Sequence, residues 1–138
     1  MVRDKRASDN HALITAQKIA LKNKASLIVC FQYVGEFKKA NLRQYEFLFK
    51  GLEETSNNLS NLNIDFHLLQ GPAEDVIPKI INQLSVGSIV TDYSPLKVYK
   101  KRLKKVLDKI TIPVCQVDSH NIVPVWVASE KKEFAAHT

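Results

Sequence analysis

Glycine is scarce in this chain of 138 residues; Gly35, Gly51, Gly71 and Gly87 are the whole supply. Spread so widely, they cannot build a loop that turns successive backbone N–H groups onto a phosphate, which argues against a small nucleotide-binding protein of the stress type. Cysteine is scarcer still. Cys30 and Cys115 both fall inside apolar strand candidates and read as buried thiols rather than a disulfide framework or metal ligands. That pattern suits a reducing compartment, and a cytoplasmic location is expected. No apolar run approaches the ~20 residues of a membrane-spanning helix, and the opening residues lack a basic-then-apolar leader. No serine or cysteine occupies a recognisable nucleophile elbow, so a hydrolase is poorly supported.

What is present is a regular alternation of apolar patterns. Ser8 or Asp9 is the expected N-cap of a first helix, whose stripe is Leu13, Ala16 and Ala20 and which runs to about Lys22. Ser26–Tyr33 follows, apolar without alternation from Leu27 to Phe31, as in a strand covered on both faces within a parallel sheet. Tyr45, Leu48, Phe49, Leu52, Leu59 and Leu62 recur at helical spacing between Asn41 and Asn61. Ile64–Leu69 is the next strand, with Gly71-Pro72 turning the chain out of it. Val76, Ile77, Ile80, Ile81 and Leu84 mark a further helix, in which Pro78 is expected near the first turn.

Ser88–Thr91 is a short strand ending in Asp92-Tyr93-Ser94-Pro95. A basic helix comes next. Leu96, Tyr99, Leu103, Val106, Leu107 and Ile110 form its apolar face, opposite Lys97, Lys100, Lys101, Arg102, Lys104, Lys105 and Lys109. The net charge of +6 permits an acidic partner, but no aromatic residue interleaves with these cations on the exposed face, and a solvated face is the reading adopted. Pro113–Val117 is the last strand. Helices alternating with strands predict α/β layers, a parallel sheet with helices on both faces.

The densest polar cluster is Asp118, His120 and Asn121, just past the carboxyl end of that last strand. Ligands of open α/β sheets gather at such ends. Asp118-x-His120 lacks enough further ligands for a metal site. Beyond it, Ile122 to Val127 reads as an extended apolar arm broken by Pro124. His67, between Phe66 and Leu68, reads as a sheet residue. One irregularity stands out: right-handed crossover folds begin with a strand, and the first helix has none feeding it.

Several motifs now carry a resemblance. Arg3-Asp4-x-Arg6-x-x-Asp9-Asn10-x-Ala12-Leu13 resembles the loop after the first strand of DNA photolyases and cryptochromes. Arg43-Gln44-Tyr45-Glu46-Phe47 with Lys50-Gly51-Leu52 is similar to class II cyclobutane-pyrimidine-dimer photolyases in particular. The same holds for Thr91–Leu96, Asp118–Trp126 and Lys132-Glu133-Phe134-Ala135-Ala136-x-Thr138. The resemblance spans the chain and implies a Rossmann-like N-terminal α/β domain over residues 1–138, incomplete at both ends. In the family's 3-2-1-4-5 order, the missing first and central strand would lie between Ser26–Tyr33 and Ser88–Thr91. Bare strand edges there would invite self-association.

The resemblance also implies a function. The parent protein would repair cyclobutane dimers in DNA by light-driven electron transfer from reduced FAD, held in a helical domain absent from this stretch. When bound to damaged DNA it would be found at the nucleoid or nucleus. The α/β domain would hold a deazaflavin or folate antenna and pack on the flavin domain, and alone it would be inactive. The alternative is a stand-alone nucleotide- or chromophore-binding α/β module without catalysis. Candidate residues for the antenna cleft or the domain interface are Arg3, Asp4, Phe31, Tyr33, Asp118, His120 and Asn121. Arg3 and Asp4 would contact the antenna or form a solvated loop. Phe31 and Tyr33 would offer an aromatic wall or pack in the core. Asp9 and Asn10 have the better explanation as a helix cap.

Overall fold

A computed structural model describes residues 4–35 and 41–128. Its elements are α1 (His11–Asn23), β1 (Ile28–Tyr33), α2 (Leu42–Ser60), β2 (Asp65–Gln70), α3 (Ala73–Leu84), β3 (Ile89–Asp92), α4 (Lys97–Leu107), β4 (Val114–Val117) and the single turn α5 (Val125–Ala128).

Polar caps set the starts of α1 and α2. Asp9 takes a left-handed φ of 49°, which leaves Asn10 rather than Ser8 or Asp9 to cap α1. Its Oδ1 accepts from the Leu13 N–H at 3.0 Å. Asn41 and Gln44 form a reciprocal capping box at α2, each side chain accepting from the other's backbone N–H. Thr55 ties α2 to the opening loop, its hydroxyl lying 2.7 Å from the Lys5 carbonyl and 2.8 Å from that of Gly51. Pro78 lies well inside α3, past the first turn where it was expected. Its absent N–H forfeits the bond to the Glu74 carbonyl, a loss the helix sustains through its buried Ile80 and Ile81.

Every described strand pair is parallel. β1 pairs with β2 from Ile28–Asp65 to Tyr33–Gln70, and β3 with β4 from Ile89–Val114 to Asp92–Val117. Among the described residues, β1 and β3 do not pair with each other, so the layer is two two-stranded sheets. The break falls where the resemblance puts a further strand. A groove of about 1600 Å³ occupies it, lined by both strands and by α1, α3 and α4.

The core explains which half is tightest. Leu59 of α2 is fully buried with Val29 of β1 and Ile64, and Ala7, Leu13, Leu27 and Phe66 pack against them. Since α1 also touches β3 and β4, this cluster links the two half-sheets through a helix instead of a ladder. On the far side, α3 packs on α4, and Lys105 and Lys109 each meet an acid, Glu74 and Asp75, at 2.8 Å. Two of the seven cations of the basic helix are thus spent on α3.

Some sequence expectations need correction. Cys115 is exposed, as is its neighbour Gln116 in β4, and Cys30 is only half-buried. Burial along β1 alternates: Val29 and Phe31 are buried, Ile28 and Cys30 are half-buried, and Ile28, Cys30 and Phe31 all line the groove. Leu62 lies beyond the end of α2 and is exposed. The arm after Asn121 is not extended throughout, since the Pro124 carbonyl accepts from the Val127 and Ala128 N–H groups and closes the turn of α5.

Gly71 forms the corner between β2 and α3. Its N–H donates to the Tyr33 carbonyl at 2.9 Å, its carbonyl accepts from the Gln32 side chain, and its φ is +129°. A Cβ there would lie 3.1 Å from Val76 Cγ1 as well as being strained by the backbone.

Candidate functional site: a polar rim at the carboxyl edge

The loop before α1 and the residues after β3 and β4 bring polar groups together beyond the strand ends. Asp118 follows β4 directly and is buried. Its Oδ1 accepts from the His120 N–H at 3.2 Å, and its Oδ2 accepts from Asn121 Nδ2 at 2.7 Å. A short Asp-x-His-Asn segment can fold back on its own carboxylate in this way, because an Asp side chain reaches the backbone two residues on.

His120 then reaches across to the opening loop. Its Nε2 lies 3.7 Å from Asp4 Oδ1, with the Asp4 side chain 12% exposed and that of His120 33%. The loop itself is held by Asn10, 2% exposed, whose Nδ2 donates to the Arg6 carbonyl at 3.1 Å while Oδ1 caps α1. The same side chain therefore fixes both the helix and the residue that faces His120.

Three buried polar atoms of the rim have no hydrogen-bond partner among the described residues: Asp4 Oδ2, Ser94 Oγ and Ser119 Oγ. Ser94 is 4% exposed and follows β3 by one residue beyond Tyr93. Buried hydroxyls and carboxylates rarely stay unmatched. A ligand edge carrying both N–H donors and carbonyl acceptors would satisfy such a set.

Of the residues singled out from sequence, the structure gathers Asp4, Asp118, His120 and Asn121 in one place. Arg3 lies outside the described residues, as does the motif from Lys132 to Thr138. Phe31 and Tyr33 lie toward the carboxyl end of β1. Phe31 is buried with Lys5 Nζ 5.6 Å from its ring centre. Tyr33 meets Phe49 of α2 edge-on at 5.3 Å, and Phe49 stacks with Tyr45. Ser94 and Ser119 were not singled out from sequence. The one signal that pointed there was their place just past a strand end.

Next to the rim, Trp126 of α5 meets Tyr93 edge-on at 5.4 Å. Ile122, Val123, Trp126 and Val127 are all exposed around it, an apolar surface continuous in sequence with the polar cluster. The groove between β1 and β3 opens beside Asp92 and Ser94. Burial there pushes the Cys30 thiol pKa up.

Parallel strands, helices on both faces and a polar rim at the strand carboxyl ends define a Rossmann-like α/β domain. The solved structure of a universal stress protein in complex with cAMP has this fold, with a TM-score of 0.57 at 17% identity, covering 86% of this chain and 94% of that one. A family model described as DNA photolyase matches residues 1–138, and the chain belongs to that family. A deoxyribodipyrimidine photo-lyase of Potorous tridactylus is 46% identical over 140 residues, covering 100% of this chain and 26% of its own length. That of Arabidopsis thaliana is 37% identical, covering 100% of this chain and 28% of its own. A homologue from Methanothermobacter thermautotrophicus is 35% identical, covering 94% of this chain and 28% of its own. The chain thus spans about a quarter of the length of the curated relatives it matches.

Proposed function

We propose that this chain is the N-terminal α/β module of a class II photolyase that repairs cyclobutane pyrimidine dimers in DNA by electron transfer from light-excited reduced FAD. The observation that carries the reading is its whole-length likeness to proteins named deoxyribodipyrimidine photo-lyase, at up to 46% identity. In this reading the flavin and the lesion are held by a helical domain outside this stretch, and the module contributes an antenna site and a docking face. By itself the module does not repair DNA.

The rim fits a deazaflavin or folate ring in its chemistry. Asp4 would accept from a ring N–H, the Ser94 and Ser119 hydroxyls would donate to ring carbonyls, and Asn10 and Asp118 would hold the surrounding loops rigid. What such an antenna supplies when bound is light absorption and transfer of the excitation to the flavin. The chain's share is a fixed position and orientation, which a rim braced by short side-chain-to-backbone bonds provides. The exposed apolar turn around Trp126 is the surface that packs on the flavin domain.

Titration of the purified chain with a deazaflavin, followed by the ligand's visible absorption, tests the antenna site. A red-shifted, saturable band is expected, and it should weaken in Ser94→Ala. A folded sample that leaves the spectrum unchanged refutes the antenna reading. Dimer-containing DNA irradiated in the near ultraviolet with FAD tests the division of labour. Repair by these 138 residues alone would overturn it.

A further inference from the structure

We propose that the outer face of α4 is a docking surface for the phosphate backbone of double-stranded DNA, held by Lys97, Lys100, Lys101 and Lys104. The choice of DNA rests on the repair reading, and it places on this module a contact which that reading leaves to the helical domain.

Cations that stand together in the sequence are sorted by the structure into two sets. Lys105 and Lys109 are neutralised by Glu74 and Asp75 of α3, and Arg102 is 5.9 Å from the Tyr99 ring centre. Lys97, Lys100, Lys101 and Lys104 are exposed, and among the described residues none of them forms an ion pair. Lys97, Lys101 and Lys104 follow the i, i+4, i+7 spacing of one helix face, and Lys100 is a turn away from both Lys97 and Lys104.

Left bare, this row works against its own helix. α4 has no acid in its first turn, and Leu96 at its cap position makes no side-chain bond, so Lys97 and Lys100 sit uncompensated at the positive end of the helix dipole. Lys97–Lys101 and Lys100–Lys104 are like-charge pairs at i, i+4, which are destabilising. A face that serves only solubility mixes its signs, as α2 does with the exposed series Arg43, Glu46, Lys50 and Glu53. A polyanion laid along α4 removes the repulsion. From Lys97 to Lys104 the helix rises ~10 Å at ~1.5 Å per residue, about three steps of ~3.4 Å on one DNA strand. No exposed aromatic ring stands among the four lysines, which favours a duplex backbone over stacked single-stranded bases. A lipid surface fits less well, because the apolar face of α4, with Leu103 half-buried and Val106 buried, is committed to packing within the module.

The test uses the full chain and a short, undamaged DNA duplex with a fluorescent end label, followed by anisotropy across a range of salt. It needs neither light nor flavin, so its failure leaves the repair reading standing. The logarithm of the binding constant should fall against that of the salt concentration with a slope of about −3 to −4, as four phosphate contacts require. Lys97→Gln/Lys101→Gln/Lys104→Gln should bring the slope to about −1. Lys18→Gln/Lys22→Gln/Lys50→Gln removes the same charge from α1 and α2 and should leave the slope as it was. Without DNA, the α4 variant should melt above the unmodified chain, which also shows that it folds. No binding at low salt, equal slopes in the α4 variant and the unmodified chain, an equal fall in both triple variants, a lowered midpoint, or capture by phosphatidylserine vesicles in preference to the duplex would each overturn the proposal.

Discussion

Replacing Leu59 by alanine asks whether the α2–β1 cluster holds the whole domain or only its own half. Leu59 is 0% exposed and meets Val29 and Ile64, with Leu13 of α1 packed alongside. Removing three buried carbons costs about 2.4 kcal/mol in transfer free energy at ~0.8 kcal/mol each. The void left between β1, α2 and α1 lifts the expected loss to about 3–4 kcal/mol. At about 2–4 °C per kcal/mol for a domain near this size, the thermal midpoint should fall by roughly 10 °C. Leu62→Ala is the matched control. That residue is 58% exposed, and its loss should stay within about 0.5 kcal/mol. Circular dichroism through a urea titration measures both. Because α1 reaches on to β3 and β4, the Leu59→Ala transition should remain single, with both half-sheets melting together. Equal losses in the two variants, or a split transition, would refute the reasoning.

Three further outcomes are expected. Asp118→Ala removes the acceptor of the His120 N–H and of Asn121 Nδ2, and should cost about 1–3 kcal/mol, read as faster amide exchange at His120. Asn10→Ala removes both the α1 cap and the bond to Arg6, and should lower stability by about 1–3 kcal/mol in denaturant titrations. The α3–α4 tie should respond to pH at both ends. A hydrogen bond from Lys105 holds the Glu74 carboxyl below its ordinary range, so that stabilisation is present above the unfolded carboxylate pKa and is lost as pH falls through the lowered value. Glu74 in turn raises Lys105, whose contribution is full below the ordinary lysine pKa and is lost as pH rises through the raised one. Lys105→Met should flatten both limbs of the midpoint-versus-pH curve, and unchanged limbs would refute the coupling.

The layered order of helices and strands was readable because each element carries its own period, as the stripe from Tyr45 to Leu59 and the apolar run of β1 show. Local competition was not readable. Ser8, Asp9 and Asn10 all make good caps, and the choice fell to the left-handed turn at Asp9. Pro78 argued for a later helix start, yet the buried face of α3 outweighed one lost hydrogen bond. The run Leu27–Phe31 announced a buried strand but not that one of its edges would face a groove, since periodicity records faces and not ladders. At the rim, Asp118, His120 and Asn121 were visible as a cluster of unlike polar groups. Ser94 and Ser119 were not, because a serine buried without a partner has the same letter as one in water.

Trp126 is the one tryptophan in the chain, and it stands where the polar rim gives way to the exposed apolar turn. Excited at the red edge of the band, where the four tyrosines do not absorb, the molecule therefore emits from a single address. Anything that seats itself on that turn, or displaces Tyr93 beneath the indole, changes the colour and yield of that light without a label having been attached.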